Sequence, residues 1–189
     1  STFSFYPGKN LGAMGDAGAI LTDCDDLAQW MGLFARHGGK GNHLIEGINS
    51  RMDGIQAAIL RVKLPHLQEW TLRRQKAAAI YNELFAGFEA IETPYVADNR
   101  SHVYHLYMIK TKKREVLREY LKEHGIPSVI NYSQALPFYK AYEYLGHKYV
   151  DFPLAYRYQN EILSLPMFPS LTINELQYIV DSVNEFFQQ

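Results

Sequence analysis

The sequence contains a single cysteine, Cys24, among 189 residues, which excludes a framework of internal disulfides. It has no apolar run approaching the roughly 20 residues that a membrane-spanning helix needs. The formal net charge is only -1, so no basic field would attract nucleic acid or an anionic membrane. The first residues lack the basic start and apolar stretch of a signal peptide. These absences predict a soluble protein of a reducing compartment, which we expect to be cytoplasmic.

Aromatic residues are abundant, with 14 Tyr and 10 Phe, and many of them lie between positions 132 and 158. Rings in such number most often pack against one another. The alternative is that part of this segment borders a binding site for a nucleotide sugar. The sequence alone leaves both interpretations open.

The first part of the chain predicts too little structure for a closed core. Short strands are expected over 3–5 and 17–22, followed by a helix over 25–36. Ser50-x-x-Asp53 and Asp53-x-x-Gln56 both resemble helix-capping patterns. Pro65 is expected to break the helix that follows, with a longer helix over 66–88. We therefore expect residues 1–92 to be part of a larger domain, completed by neighbours outside this sequence.

Residues 93–189 predict a small α+β domain of alternating strands and amphipathic helices. Gly125 is expected to end one of its helices, and Thr172-x-x-Glu175 to cap the last one. The predicted elements are a strand over 102–110, a helix over 112–124, strands over 127–130 and 163–165, a helix over 154–162 and a C-terminal helix.

Lys9 is the most informative candidate for chemistry. It lies in Ser4-Phe5-Tyr6-Pro7-Gly8-Lys9-Asn10-Leu11-Gly12-Ala13, between a stiff proline and permissive glycines. An amine held in one place and desolvated enough to lose its proton can form a Schiff base with a carbonyl. Ser4, five residues earlier, could donate a hydrogen bond to a phosphate. Taken alone, however, a lysine in such a turn is usually a solvated surface charge.

This run, together with Gly47-Ile48-Asn49-Ser50-Arg51-Met52-Asp53-Gly54-Ile55-Gln56-Ala57-Ala58, resembles the DegT/DnrJ/EryC1/StrS family of pyridoxal-phosphate (PLP) aminotransferases. The resemblance implies an α/β fold, namely the C-terminal part of a fold-type I PLP enzyme. It begins in the middle of the family's large domain. Residues 1–92 would be the remnant of that domain, and 93–189 its small C-terminal domain.

The resemblance also implies roles for individual residues. Lys9 is the Schiff-base lysine, while Ser4 and Asn49 contact the cofactor phosphate. Arg51 lies near the substrate and, with Asn49, reaches across a two-fold interface, so a homodimer with shared active sites is expected. Tyr6, where many members carry histidine, would orient the cofactor or the sugar.

Tyr132 corresponds to a loop that usually reads His-Tyr-Pro, where asparagine and serine flank the tyrosine in this chain. We assign it to substrate binding. No metal site is expected, because His37 and His43 have no carboxylate or cysteine at metal-ligand spacing.

The implied reaction is transfer of an amino group, usually from glutamate, to a keto-sugar linked to a nucleotide diphosphate. A dTDP-3-keto-6-deoxyhexose is one candidate, for the synthesis of surface polysaccharide or another glycan. The partners would then include the N-terminal half of the same protein, and the isolated chain is not expected to turn over. Two alternatives remain: a non-catalytic folded fragment or interaction module, and a PLP-dependent sugar dehydratase. The lysine at position 9 disfavours the dehydratase, because such enzymes place histidine there.

Overall fold

A computed structural model describes residues 1–189, and the chain divides into two compact units, Ser1–Trp70 and Thr71–Gln189. The division predicted at residues 92 and 93 concerns the domains of a complete family member and stays a prediction. None of the helices has the length and apolar character that a membrane span requires.

The first unit opens with a short antiparallel hairpin of strands β1 (Thr2–Ser4) and β2 (Gly18–Ile20). Helices α1 (Asp25–Phe34) and α2 (Gly54–Lys63) follow. The first strand has the predicted length but begins one residue earlier, and the second is shorter than the predicted 17–22. Hydrogen bonds from Phe5 N–H to the Ala17 carbonyl and from Leu21 N–H to the Ser1 carbonyl continue the pairing at both ends.

The start of α2 corrects the predicted capping patterns. Asp53 occupies the N-cap position, but its side chain makes no capping hydrogen bond. The side chain of Gln56 instead accepts a hydrogen bond from the distant backbone of Met14. Ser50 lies before the helix and does not cap it.

The expected break at Pro65 is confirmed, because α2 ends at Lys63 and a longer helix follows after one tight turn. Residues Leu64–His66 form a 3-10 turn between α2 and α3 (Leu67–Leu84). Leu64 keeps right-handed helical backbone angles. A proline early in a helical turn lacks only an N–H that would have no partner there, so the chain continues directly into α3.

The second unit is built on strands β3 (Tyr107–Lys110) and β4 (Ile162–Leu165), which pair antiparallel with Tyr107 opposite Leu165. Helices α4 (Arg114–Glu123), α5 (Pro153–Tyr158) and α6 (Ile173–Gln188) belong to it, together with most of α3. One apolar cluster forms its core. Its largest fully buried side chains are Tyr81, Tyr107, Ile109, Leu117, Leu121, Leu163, Leu176, Val180 and Val183.

The strand predicted over 102–110 is wrong in its first half, because carbonyl groups of this segment accept hydrogen bonds from a buried arginine. Arg74 donates from Nη1 to the carbonyl oxygens of Tyr104 (3.3 Å), His105 (3.5 Å) and Met167 (2.7 Å). Tyr104 also has a left-handed backbone (φ 44) that no regular strand contains. The ladder therefore starts only at Tyr107.

Three other local predictions have clear outcomes. The expected strand over 127–130 is a single bridge between Val129 and Ser164. Gly125 ends its helical segment with φ 71, as predicted. The capping box of α6 is confirmed: Glu175 N–H donates to Thr172 Oγ1, and Thr172 N–H donates to the Glu175 carboxylate at 2.8 Å.

The aromatic segment folds as short 3-10 turns followed by α5, which is shorter than predicted. Phe138 lies edge-on to Tyr149 and Tyr156, and these two tyrosines stack with their centroids 4.1 Å apart. The packing interpretation is therefore confirmed for these rings, whereas Tyr132 and Tyr144 are 68% and 80% exposed. The proposed border of this segment with a nucleotide-sugar site stays a prediction.

Candidate active site

The turn that carries Lys9 is fixed by backbone hydrogen bonds on both sides. Phe5 N–H donates to the Ala17 carbonyl, and Ala13 N–H donates back to the Phe5 carbonyl, both at 2.8 Å. Lys9 N–H closes the turn by donating to the Tyr6 carbonyl at 2.8 Å. The backbone of Lys9 therefore has a defined place at the end of the hairpin.

Gly12 permits a close approach that any other residue would block. A Cβ atom on Gly12 would lie 2.2 Å from the carbonyl oxygen of Pro7, well inside van der Waals contact. The return segment can therefore lie directly against the proline of the lysine turn. This close contact explains why the sequence has a glycine at position 12.

The Lys9 side chain is half-buried, and its amine makes no hydrogen bond or ion pair within the chain. Most lysine amines in folded proteins are fully solvated or paired with a carboxylate. An amine that is partly shielded, fixed at its backbone and uncommitted is available to react with an incoming carbonyl group.

Ser4 and Tyr6 lie beside Lys9 in the same strand and turn. Ser4 Oγ accepts a hydrogen bond from Tyr6 N–H at 3.3 Å, which leaves the serine hydroxyl hydrogen free to donate elsewhere. The Tyr6 ring is exposed. The structure thus brings together three of the predicted site residues, which present an amine, a hydroxyl and a phenol.

Asn49 and Arg51 form a second pair in the first unit. Arg51 Nε donates to Asn49 Oδ1 at 3.0 Å, and both residues are exposed. The terminal nitrogens of the guanidinium remain free to bind an anion. No hydrogen bond or ion pair joins this pair to Lys9.

The Asn49 pair is held by a closed loop that begins at the end of α1. Ile48 N–H donates to the Phe34 carbonyl at 2.8 Å, and Ser50 N–H to the Ala35 carbonyl at 3.1 Å. Gly38 permits the closure, because a Cβ there would lie 1.7 Å from the Ile45 carbonyl oxygen.

Tyr132 lies in the second unit and is 68% exposed. The residue before it, Asn131, accepts a hydrogen bond from the buried Ser164 hydroxyl through Oδ1 at 3.0 Å. The asparagine at the usual histidine place therefore points its amide oxygen into the fold. Tyr132 projects from a segment that is anchored on β4.

Sequence reasoning missed two residues that contact the lysine loop. Gln56 Oε1 accepts from Met14 N–H at 2.8 Å, and Lys63 Nζ donates to the Gly12 carbonyl at 2.7 Å. In the sequence, Gln56 belonged only to a helix-capping pattern, and Lys63 belonged to no recognised motif. Both contacts join residues more than 40 positions apart, which no local pattern can indicate.

Comparison with known proteins gives a consistent result across the whole chain. A "Pleiotropic regulatory protein" of Geobacillus stearothermophilus is 43% identical over 100% of this chain and 52% of its own length. A dTDP-3-amino-3,4,6-trideoxy-alpha-D-glucose transaminase of Streptomyces venezuelae is 36% identical over 100% of this chain and 50% of its own. The chain thus spans about half the length of the curated relatives it matches.

Solved structures agree. S. venezuelae DesV, in complex with a ketimine intermediate, superposes with a TM-score of 0.95 at 36% identity, over 100% of this chain and 51% of that one. Bacillus subtilis NtdA, with bound cofactor PMP, gives 0.86 at 28% identity, over 100% and 46%.

These structures define the class of fold: this is the C-terminal portion of the α/β fold of PLP-type sugar aminotransferases. The sequence model of the DegT/DnrJ/EryC1/StrS aminotransferase family matches residues 1–184. The chain belongs to this family.

Proposed function

We propose that the protein carrying this chain transfers an amino group from an amino acid, with glutamate as donor, to a keto-sugar linked to a nucleotide diphosphate. The proposal rests on the amine of Lys9, which is half-buried, lies in a fixed turn and makes no hydrogen bond or ion pair within the chain. The names of the relatives support sugar amino transfer. A dTDP-linked 3-keto-6-deoxyhexose is the acceptor we favour, because three relatives are named as transaminases of dTDP-3-amino sugars.

The residues present fit PLP as the cofactor. Lys9 offers the amine that would hold it, and Ser4 offers a hydroxyl hydrogen for its phosphate. Asn49 would add a donor from its side-chain amide, because only its oxygen is engaged by Arg51. When bound, PLP supplies the carbonyl group that carries the nitrogen and a ring that stabilises negative charge on the adjacent carbon.

Each predicted site residue then has a defined role. Lys9 Nζ accepts the proton that leaves the α-carbon of the amino donor, and in the second half-reaction it returns a proton to the sugar. Arg51 binds the diphosphate through its free terminal nitrogens. Tyr6 and Tyr132 orient the sugar through their hydroxyl groups. Asn49 and Arg51 would act in the site of a second copy, so the catalytic unit is a homodimer.

The proposal is tested by locating the cofactor. The protein, expressed from its complete gene and incubated with PLP, is reduced with borohydride and its peptides are mapped by mass spectrometry. We expect the coenzyme on Lys9 in the parent and in Lys40→Arg, and no labelled peptide in Lys9→Arg. Label on a different lysine, or none, would overturn the proposal.

The two alternative functions give different outcomes in a turnover assay. With glutamate and a dTDP-linked 3-keto sugar, we expect 2-oxoglutarate and an amino sugar in equal amounts, lost in Lys9→Arg. A dehydratase would release water and add no nitrogen. A non-catalytic protein, a reading that the name of the Geobacillus relative favours, would do neither.

A further inference from the structure

Helix α2 contacts the glycine-rich return through two polar side chains. Gln56 Oε1 accepts from Met14 N–H at 2.8 Å, and the partly buried Lys63 Nζ donates to the Gly12 carbonyl at 2.7 Å. The two residues are seven positions apart, so they lie on one face of the helix, two turns from each other. One face of α2 therefore binds both sides of Ala13.

Ala13 connects the two contacts with α2 to the turn that carries Lys9. It is almost completely buried, and its N–H donates to the Phe5 carbonyl at 2.8 Å. Its neighbour Gly12 lies directly against the Pro7 carbonyl. The turn from Tyr6 to Lys9 is thus bounded by residues 5 and 13, and residue 13 lies between the two contacts with α2.

Within this chain, which spans about half the length of the relatives it matches, few apolar side chains are buried near the turn. In residues 1–70 the only buried hydrophobic side chains are Ala13 and Leu60. A hydrogen bond fixes direction and distance, whereas apolar burial is non-directional. The two polar contacts are therefore directional links between the helix and the glycine-rich return.

We propose that Gln56 and Lys63 are positioning residues for Lys9, holding its turn so that the amine stays in one place. The proposal rests on the proposed function, in which that amine holds the cofactor. It concerns only how the chain orders its own turn, so it is tested without cofactor or substrate. It also gives α2, which begins three residues after Arg51, a part in placing both predicted site elements.

The test measures amide hydrogen exchange by NMR in the protein expressed from its complete gene. In Gln56→Leu and Lys63→Met, which remove the hydrogen bond but keep the side-chain stem, we expect exchange at Ala13 and Lys9 to become about tenfold faster. Amides of α1 and of the β3–β4 ladder should keep their parent rates. Arg61→Met is the matched control, because Arg61 lies on α2, is exposed and makes no hydrogen bond or ion pair with the return.

Conservative variants separate positioning from general loss of structure. Gln56→Glu retains an acceptor and Lys63→Arg retains a donor, so both should exchange within about twofold of the parent at Ala13 and Lys9. A purely structural role that tolerates any polar residue would not distinguish Lys63→Arg from Lys63→Gln. We expect Lys63→Gln, whose amide is shorter than the lysine stem, to exchange faster than Lys63→Arg.

Chemical labelling gives a second readout at the amine itself. Reductive methylation with formaldehyde and cyanoborohydride is followed at Lys9 relative to the exposed Lys40 of the same chain. When the turn loosens, the half-buried amine becomes more accessible, so the ratio of Lys9 to Lys40 labelling should rise at least about threefold in Gln56→Leu and Lys63→Met. The ratio should stay at the parent value in Arg61→Met.

Two results would overturn the inference. One is faster exchange confined to Met14, with Lys9 exchange and labelling unchanged. The other is equally faster exchange throughout α1, because Gln56 and Lys63 would then hold the whole unit together and not the turn. Failure of the proposed function is distinguishable, since coenzyme found on another lysine would leave all of these measurements unaltered.

Discussion

Within this chain, which spans about half the length of the curated relatives it matches, the two units bury very different numbers of apolar side chains. In Ser1–Trp70 only Ala13 and Leu60 are buried apolar side chains, whereas Ile55 and Val62 are 68% and 71% exposed. Its loops are instead fixed by hydrogen bonds and by close approaches at glycine. In Thr71–Gln189 a continuous apolar core joins α3, α4, α6 and both strands.

The comparison shows how stability and precision are divided in this chain. Apolar burial supplies most of the folding free energy but is non-directional, whereas a hydrogen bond fixes one atom relative to another. Lys9, Asn49 and Arg51 all lie in the unit with few buried apolar groups. Within the chain, directional hydrogen bonds place the residues with proposed chemistry, and the apolar core stabilises the second unit.

Truncating equivalent leucines in the two units should give the largest contrast. Leu163 is completely buried in β4, so Leu163→Ala should lower the free energy of unfolding by about 2–5 kcal/mol. Leu27 on α1 is 46% exposed, and Leu27→Ala should cost less than about 1 kcal/mol. Urea unfolding followed by circular dichroism measures both. Equal losses would break the comparison, because the first unit would then depend on apolar burial as well.

Removing the buried guanidinium should have the next largest effect. Arg74→Met keeps the apolar stem but leaves the carbonyls of Tyr104 and Met167 without their donor, at a cost of about 2–3 kcal/mol. Burial already lowers the pKa of Arg74, so its charge is held there by these carbonyl contacts. Arg74→Lys is the control, and it should recover only part of the loss because one ammonium cannot reproduce the planar fork. Full stability in Arg74→Met would show that apolar packing alone orders this loop.

The cap of α6 should make a smaller contribution. Thr172→Ala removes the acceptor for Glu175 N–H and should cost about 1 kcal/mol. Ser170→Ala, at a nearby exposed residue without such a bond, should be close to neutral. Thermal unfolding of the two variants measures the difference. Equal melting temperatures would mean that the cap contributes nothing beyond the core.

The same cap should give the smallest effect, a dependence on pH. Hydrogen bonds from the Thr172 backbone and hydroxyl hold the pKa of Glu175 below its ordinary range. A carboxylate with a lowered folded pKa stabilises the fold above its unfolded pKa and loses this contribution as pH falls through the folded value. Glu175→Gln should therefore flatten the acid side of the stability profile, measured by urea unfolding at a series of acidic pH values. A parallel profile in the variant would contradict this.

The sequence predicted the features that depend on neighbouring residues. The Thr172 cap, the Gly125 stop and the turn around Lys9 each follow from a few adjacent positions. The features that could not be predicted depend on distant partners. The strand expected over 102–110 is interrupted because Arg74, about 30 residues away, donates a hydrogen bond to the carbonyl of Tyr104. Gln56 matched a helix-capping pattern, whereas its observed partner, the N–H of Met14, lies 42 positions away and leaves no local pattern.

The closed loop after α1 has a consequence for how related chains can vary. Its base is joined at Phe34 and Ala35 to residues 48 and 50, so Asn49 and Arg51 are placed by the base and not by the tip. Lengthening a loop whose ends are already fixed adds little free energy, since the entropy of closure grows only with the logarithm of its length. A Gly-Ser insertion between Gly41 and Asn42 should leave the Arg51 signals of an NMR spectrum in place. The tip of this loop can therefore vary in length and sequence while the Arg51 guanidinium stays in the same position.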